Sequence, residues 1–283
     1  MHNSEPIDPP SSIEGRTPLL IPPFFHSGIT WHNYAYMQTM SARIPRLPLL
    51  PDPEATVVPG VVWGRPEWVP SAAFWASMVA LADEEHDGYV ERGGPLEEAV
   101  GFCLLGGYGI TAELNQAAHW HLLAAGTYRW GSTAADASQR IEELLREPLD
   151  VQGRRAHYRF PRQRAVRLAA ALRMLSHDPP PTDNDHAFRA HLMRIAGIGP
   201  KTASWIARNW LGSTVVAILD IHVVRAGRII GLFTKDDRLP RDYLAMERRF
   251  LGFAHAIGAS PSLLDAIIWR TMREINGLMR FGA

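Results

Sequence analysis

From Trp63 onward apolar residues recur three and four positions apart, and they keep doing so nearly to the end of the chain. Leu168, Leu172 and Leu175 fall at i, i+4 and i+7, as do Phe188, Leu192 and Ile195, while Leu264, Ile268, Met272, Ile275 and Met279 make the longest stripe. That spacing gives a helix one apolar face to bury. It predicts helices over 71–86, 95–105, 112–125, 134–146, 162–177, 184–196, 200–211, 220–231, 241–257 and 261–279. Ser260 followed by Pro261 supplies an N-cap and a proline at the first helical position. Strands do not alternate with helices and no unit of 20–50 residues repeats, which disfavours α/β and solenoid architectures and leaves a mostly α fold.

The first sixty residues break the pattern. Half of the 22 prolines lie before residue 60, so this stretch cannot stay helical and reads as an extended or partly disordered arm. "PPFFHSGITWHNYAYM" is too aromatic to be only a solvated tail, and part of it should pack on the domain. The expected organisation is a Pro-rich segment over 1–62 and one helical domain over 63–283.

Composition narrows the chemistry. With 283 residues, 46% of them hydrophobic, the chain can build a normal core. The single Cys103 excludes an intrachain disulfide, a four-cysteine zinc site and a cysteine-held iron–sulfur cluster, and fits a reducing cytoplasm. No run approaches the ~20 apolar residues of a membrane span, and nothing at the N-terminus resembles a secretion signal. Net charge is zero, yet no acidic residue occurs between Val151 and His177, where Arg154, Arg155, Arg159, Arg162, Arg164, Arg167 and Arg173 lie. Such a stretch either meets phosphates or forms a solvated helix face balanced elsewhere.

Of the 29 basic residues only Lys201 and Lys235 are lysines. Lys201 sits in "GIGPKTASW", where one predicted helix ends at Gly197 and the next begins with Pro200. Gly197 and Gly199 permit a tight reversal, Ile198 can plug the gap between the helices, and the result is a helix-hairpin-helix over 184–211. Its free amides at the start of the second helix suit a phosphate without regard to base sequence. Alone, a Gly-x-Gly between helices is more often a plain tight turn.

The longer stretch "IAGIGPKTASWIARNWL", followed by "VAILDIHVVRAGRIIGL", resembles the helix-hairpin-helix DNA glycosylase superfamily. Its lyase-competent members carry a hairpin (L)PG(I/V)GxK and, about twenty residues on, an Asp within V-D-x-H. Lys201, Asp220 and His222 occupy those positions. The similarity is greatest to the 8-oxoguanine DNA glycosylases of the type-2 and archaeal branch, whose terminal helix reads L-D-x-x-I-W, here "LLDAIIW" with Asp265 and Trp269. Ala196 replaces the usual proline, and no lysine follows Trp269 where the type-2 enzymes have one. The resemblance implies two helical subdomains with the active-site cleft between them.

It also implies roles. A flipped-out nucleotide would meet the Lys201 amine at C1′, giving a Schiff base and then strand cleavage by β-elimination. Only a neutral amine attacks, and a helix N-terminus disfavours the ammonium; arginine cannot substitute because it does not release its proton. Asp220, as N-cap of the next helix, would stabilise the positive sugar. Gly197, Ile198, Gly199, Thr202 and His222 would hold the DNA backbone. Trp269 would stack on the base, or else is core, and Asp265 would accept from the base N–H groups. In "LLGGYGITAELNQAA", Tyr108 is the candidate wedge and Asn115 or Gln116 the contact to the orphaned base. His119 and His121 face different ways on one helix, a structural arrangement, so neither metal nor cofactor is expected. The expected protein is a monomeric, cytoplasmic or nucleoid-associated bifunctional glycosylase/AP lyase acting on duplex DNA with a damaged base. The alternatives are the same fold acting on another modified base, in repair or against foreign DNA, and a non-catalytic helix-hairpin-helix binding module.

Overall fold

A computed structural model describes residues 51–82 and 94–281, with side chains given up to Ile275. Two units divide the chain, Met1–Leu49 and Leu50–Ala283; the first lies outside the described residues, as does the expectation that the aromatic arm packs on the domain.

The second unit is mostly helical. Its elements are β1 (Thr56–Val58), β2 (Val61–Val62), α1 (Ala72–Leu81), α2 (Leu96–Leu105), α3 (Ala112–Ala124), α4 (Thr127–Trp130) and α5 (Ala137–Arg146). After them come β3 (Leu149–Val151), β4 (Arg154–Ala156), α6 (Pro161–His177), α7 (Asp185–Leu192) and α8 (Pro200–Ile206), which runs on into a π-helical turn, Ala207–Leu211. The chain then forms α9 (Ile221–Ile229), α10 (Tyr243–Ala256) and α11 (Pro261–Phe281). The strands form two small antiparallel hairpins, β1 with β2 and β3 with β4. Spacing alone missed both hairpins, because strands of two or three residues are too short to show a period.

The expected boundary at residue 62 falls too late. Val61 is fully buried and Val57, Val58 and Trp63 pack with it, so the β1–β2 hairpin belongs to the helical unit.

There are two apolar cores. One gathers residues from Leu96 to Val216, including Leu104, Leu122, Leu168, Leu172, Phe188, Ile198 and Ile206. The other joins Val61 and Trp75 to residues from Ala217 to Met272. The chain therefore passes from one core to the other between Val216 and Ala217, three residues before Asp220. This is the two-subdomain arrangement, and the helices of residues 200–211 and 221–229 lie on opposite sides of the crossing.

Candidate active site

The connection between the two hairpin helices is longer than the spacing predicts. Asn184 caps α7 by accepting from Ala187 N–H at 2.9 Å, but the helix stops at Leu192, four residues before the expected end. A chain of short turns follows, with Ile195 N–H bonded to Leu192 O and Ile198 N–H to Ile195 O, both at 3.0 Å. Ile195 and Ile198 are both buried on these turns. Ile198 is the plug the sequence suggested. Gly197 alone needs glycine's freedom, at φ +100°; Gly199 is extended, at φ −97° and ψ −179°, and serves as the N-cap residue of α8. A Cβ on Gly199 would meet nothing within 4 Å, so the backbone there is open to an approaching group.

Pro200 occupies the first position of α8, and Lys201 follows it, exposed. Lys201 makes no hydrogen bond or ion pair with a described residue. Its positive charge is felt by the thiol of Cys103 in α2, which burial nonetheless pushes up to about 12. Four residues on, Trp205 lies nearly parallel to Phe102, ring centroids 6.0 Å apart. Phe102 meets His119 edge-on, and His119 Nδ1 is 2.8 Å from Tyr128 Oη. Burial lowers the pKa of His119, while His121 pairs with Glu147 at 3.1 Å.

Asp220 is the N-cap of α9. Its Oδ1 accepts from His222 N–H and Val223 N–H, each at 2.8 Å, so Oδ2 is not consumed by the cap. His222 is half-buried and its ring makes no hydrogen bond with a described residue; Thr202, one residue past Lys201, is half-buried too.

The residues expected to read the base fare unequally. Trp269 is 42% exposed, with the Arg273 guanidinium 4.4 Å from its ring centroid, so it is not core. Asp265 does not present its carboxylate to a ligand in this structure. It is 3% exposed, ion-paired with Arg208, and accepts from Ile218 N–H at 3.2 Å through Oδ2. Burial pushes this carboxyl up to about 7, the negative charge of Asp220 adds to the push, and Arg208 pulls the other way. Tyr108 is 98% exposed at the tip of its loop, as a wedge requires. Asn115 is a correction: it is 7% exposed, and its Nδ2 donates to Phe102 O at 3.2 Å, bracing the end of α2 instead of facing a base. Gln116 is exposed, yet it sits on α3 beside Trp120, away from the loop tip.

The basic stretch acquires a place. A Cβ on Gly107 would lie 3.4 Å from Arg164 Nη2, one on Gly109 2.7 Å from Arg159 Nη1, and one on Gly197 3.3 Å from Arg167 Nη1. Three arginines of the acid-free stretch thus run from the Tyr108 loop to the hairpin turn, and arginines placed so can follow a phosphate backbone. Sequence reading had the stretch but not its alignment, which depends on α6 lying across both loops.

A second group went unnoticed altogether: Arg189, Arg208, Tyr243 and Glu247. Arg189 Nη1 bonds Glu247 at 2.6 Å and Ser204 Oγ at 3.2 Å, all buried. The available signal was the placement of Arg208 among the apolar residues of "SWIARNWL", since a charge on a core face must find a counter-charge. An open groove of about 730 Å³, lined by residues including His186, Leu244, Arg248 and His255, contains neither Lys201 nor Asp220.

Residues 130–259 match the family Ogg-HhH, 8-oxoguanine DNA glycosylase. That span contains the hairpin, Lys201 and Asp220, and stops short of Asp265 and Trp269. No curated protein sequence matches the chain significantly. Among solved structures, the 8-oxoguanine DNA glycosylase of Thermotoga maritima is 25% identical over 70% of this chain and 85% of its own, with a TM-score of 0.47. That of Methanocaldococcus jannaschii is 24% identical over 69% and 81%, with a TM-score of 0.47. An endonuclease III in a trapped covalent intermediate with DNA is 17% identical over 70% and 81%, with a TM-score of 0.48. The family match bears out the resemblance to the helix-hairpin-helix DNA glycosylases, and the two apolar cores, between which the chain crosses at Val216–Ala217, are the helical architecture expected of them.

Proposed function

We propose, from the family match and the hairpin it contains, that this protein is a DNA glycosylase with AP-lyase activity that removes an oxidised purine, foremost 8-oxoguanine, from duplex DNA. The observation that carries the reading is the presence in one chain of an exposed Lys201 at the start of α8, without a polar partner among the described residues, and a buried Asp220 whose cap leaves one carboxylate oxygen over.

The chemistry asks little more of the protein. The neutral Nζ of Lys201 attacks C1′, the bond from C1′ to the base nitrogen breaks, and the base leaves with the proton the amine gives up. Opening of the sugar ring yields the iminium. Loss of a C2′ proton then expels the 3′-phosphate and nicks the strand. Asp220 stabilises the positive charge that grows on the sugar, and its fixed carboxylate needs no reorganisation as the charge develops. The amides around Gly199 and the row Arg159, Arg164 and Arg167 hold phosphates, Tyr108 enters the helix where the nucleotide leaves, and Trp269 offers a face to the base. The closed-off carboxylate of Asp265 favours a second reading at the level of substrate, the same chemistry on a different modified base.

Borohydride trapping on duplexes that each carry one lesion tests both. A covalent adduct with 8-oxoguanine opposite cytosine, lost in Lys201→Arg with duplex binding retained, is the expected result. Adducts from another lesion alone would move the substrate, and trapping that survives in Lys201→Arg would move the nucleophile.

A further inference from the structure

The segment that leads into Asp220 has no regular secondary structure, yet the N–H groups of its last three residues end on buried side chains. Ala217 N–H donates to Glu247 Oε1 at 3.0 Å, Ile218 N–H to Asp265 Oδ2 at 3.2 Å, and Leu219 N–H to Tyr243 Oη at 3.2 Å. Tyr243 Oη donates in turn to Ala217 O at 2.7 Å. Three consecutive amides are thus held by side chains of α10 and α11, and both carboxylates are themselves ion-paired: Glu247 with Arg189 of α7, Asp265 with Arg208 of the π turn. Each helix of the hairpin sends one arginine across the junction between the cores to a carboxylate that grips the strand before Asp220.

Stability alone is a poor reason for such pairs, because well-packed apolar residues of similar volume commonly stabilise a fold as much or more. What two crossed pairs do provide is position. Asp220 N–H is bonded to Ile218 O at 3.1 Å, so a shift of Ile218 is passed directly to Asp220. The π turn contributes by bringing Ala207, Arg208 and Asn209 all into the interior, which points Arg208 at α11 while Lys201 stays at the hairpin surface.

We propose that Arg208 and Asp265 are positioning residues, which act through the backbone of Ile218 to set the carboxylate of Asp220 relative to the hairpin that carries Lys201. The pair of Arg189 and Glu247 braces the same strand one residue earlier. This inference rests on the reading of Asp220 as a participant in base excision. It reassigns Asp265 from contact with the base to control of the anion beside the sugar.

The test is a double-mutant cycle in single-turnover excision from a lesion duplex. Asp265→Asn keeps the size of the side chain and removes the charge that orients Arg208. It is expected to slow excision roughly tenfold to a hundredfold, the range in which small displacements of a reacting group act, with duplex binding changed less than about twofold. In the Asp220→Asn background the same substitution is expected to add no further loss, because the group it positions is already disabled. An equal loss in both backgrounds overturns the proposal. Should Asp265→Asn fail to fold, Arg208→Lys, which retains a cation in the pair, carries the cycle instead.

Amide hydrogen exchange keeps the two readings apart. The N–H groups of His222 and Val223, both bonded to Asp220, are expected to exchange faster in Asp265→Asn while those of α3 do not change. Unchanged exchange at His222 and Val223 overturns the positioning role whether or not the enzyme is active. A wild-type protein inactive on every duplex would overturn the excision reading and leave the exchange result standing.

Discussion

Lys201 and Asp220 stand on either side of the crossing between two cores, and they are held in opposite ways. Lys201 is exposed and makes no polar contact with a described residue, whereas Asp220 is buried, caps α9 with one oxygen and is preceded by three amides tied to buried side chains. The difference follows from what each would do. An attacking amine must reach C1′ and then stay attached to a sugar that opens, so a long side chain with free torsions suits it. A group that stabilises growing charge is effective only if it is already in place, so rigidity suits it. The hairpin supplies a platform; the strapped segment supplies a fixed anion.

The comparison can be broken most sharply in the straps. Arg189→Met leaves Glu247 buried with no cation, and removal of one partner of a buried pair is expected to cost about 3–5 kcal/mol. Chemical denaturation should show that loss as a lower midpoint with little change in slope. Lys201→Gln in the same assay should stay within about 0.5 kcal/mol of the parent, as surface substitutions do. A small effect of Arg189→Met would mean that the strapped segment is no more constrained than the hairpin.

A pH profile probes the strapped segment by itself. Burial raises the Asp265 carboxyl in the folded state to about 7, well above its ordinary 3.8. The folded protein therefore holds this proton more tightly than the unfolded chain. Its contribution to stability is complete below about pH 4 and is lost as pH rises through about 7, with a slope of at most about 1.4 kcal/mol per pH unit. Asp242, lowered to about 2 chiefly by its hydrogen bond with Arg241, acts in the other sense and in a different window, contributing above about pH 4 and fading as pH falls through about 2. Denaturation midpoints followed from pH 4 to pH 8 should decline in the parent and flatten in Asp265→Asn. Excision should run the other way, rising toward pH 7 as Asp265 ionises and completes its pair with Arg208. A stability profile that Asp265→Asn leaves unaltered would remove Asp265 from the linkage.

How much of this was legible in the residues follows the range of the interactions. Each predicted helix formed, because apolar stripes such as Leu168, Leu172 and Leu175 state a local period and a core meets them. Ends were less legible: α7 stops at Leu192 and gives way to short turns bonded from Ile195 N–H to Leu192 O and from Ile198 N–H to Ile195 O, although the apolar stripe continues to Ile195. The cap at Asp220 and the exposed amine of Lys201 are legible because each is a property of a single position. The base-facing guesses were weaker for the converse reason. Asn115 looks available to a base in sequence, but its amide is taken by Phe102 O, thirteen positions away. Asp265 looks like a free acceptor until Arg208, fifty-seven positions away, is brought against it. Pairings at such separations are set by the packing of whole helices, and only the buried charge of Arg208 among apolar neighbours hinted that one was needed.

The smallest effects lie in the hairpin itself, where Gly197 and Gly199 look alike in sequence and differ in structure. Gly197 has φ +100°, and an added Cβ would lie 3.2 Å from Arg167 Cδ and 3.3 Å from Leu104 Cδ2. Gly197→Ala is therefore expected to cost about 1–2 kcal/mol of stability, the usual penalty for an L side chain in a left-handed conformation. Gly199, at φ −97° with nothing within 4 Å, tolerates alanine, and Gly199→Ala should change stability by less than about 0.5 kcal/mol. If the open side of Gly199 is where a phosphate approaches the amides of α8, that added methyl should still weaken duplex binding several-fold and leave the unfolding curve in place. Binding measured at two salt concentrations completes the test: a lost phosphate contact reduces the slope of affinity against salt by about one unit, and an unchanged slope would send the backbone of the DNA elsewhere.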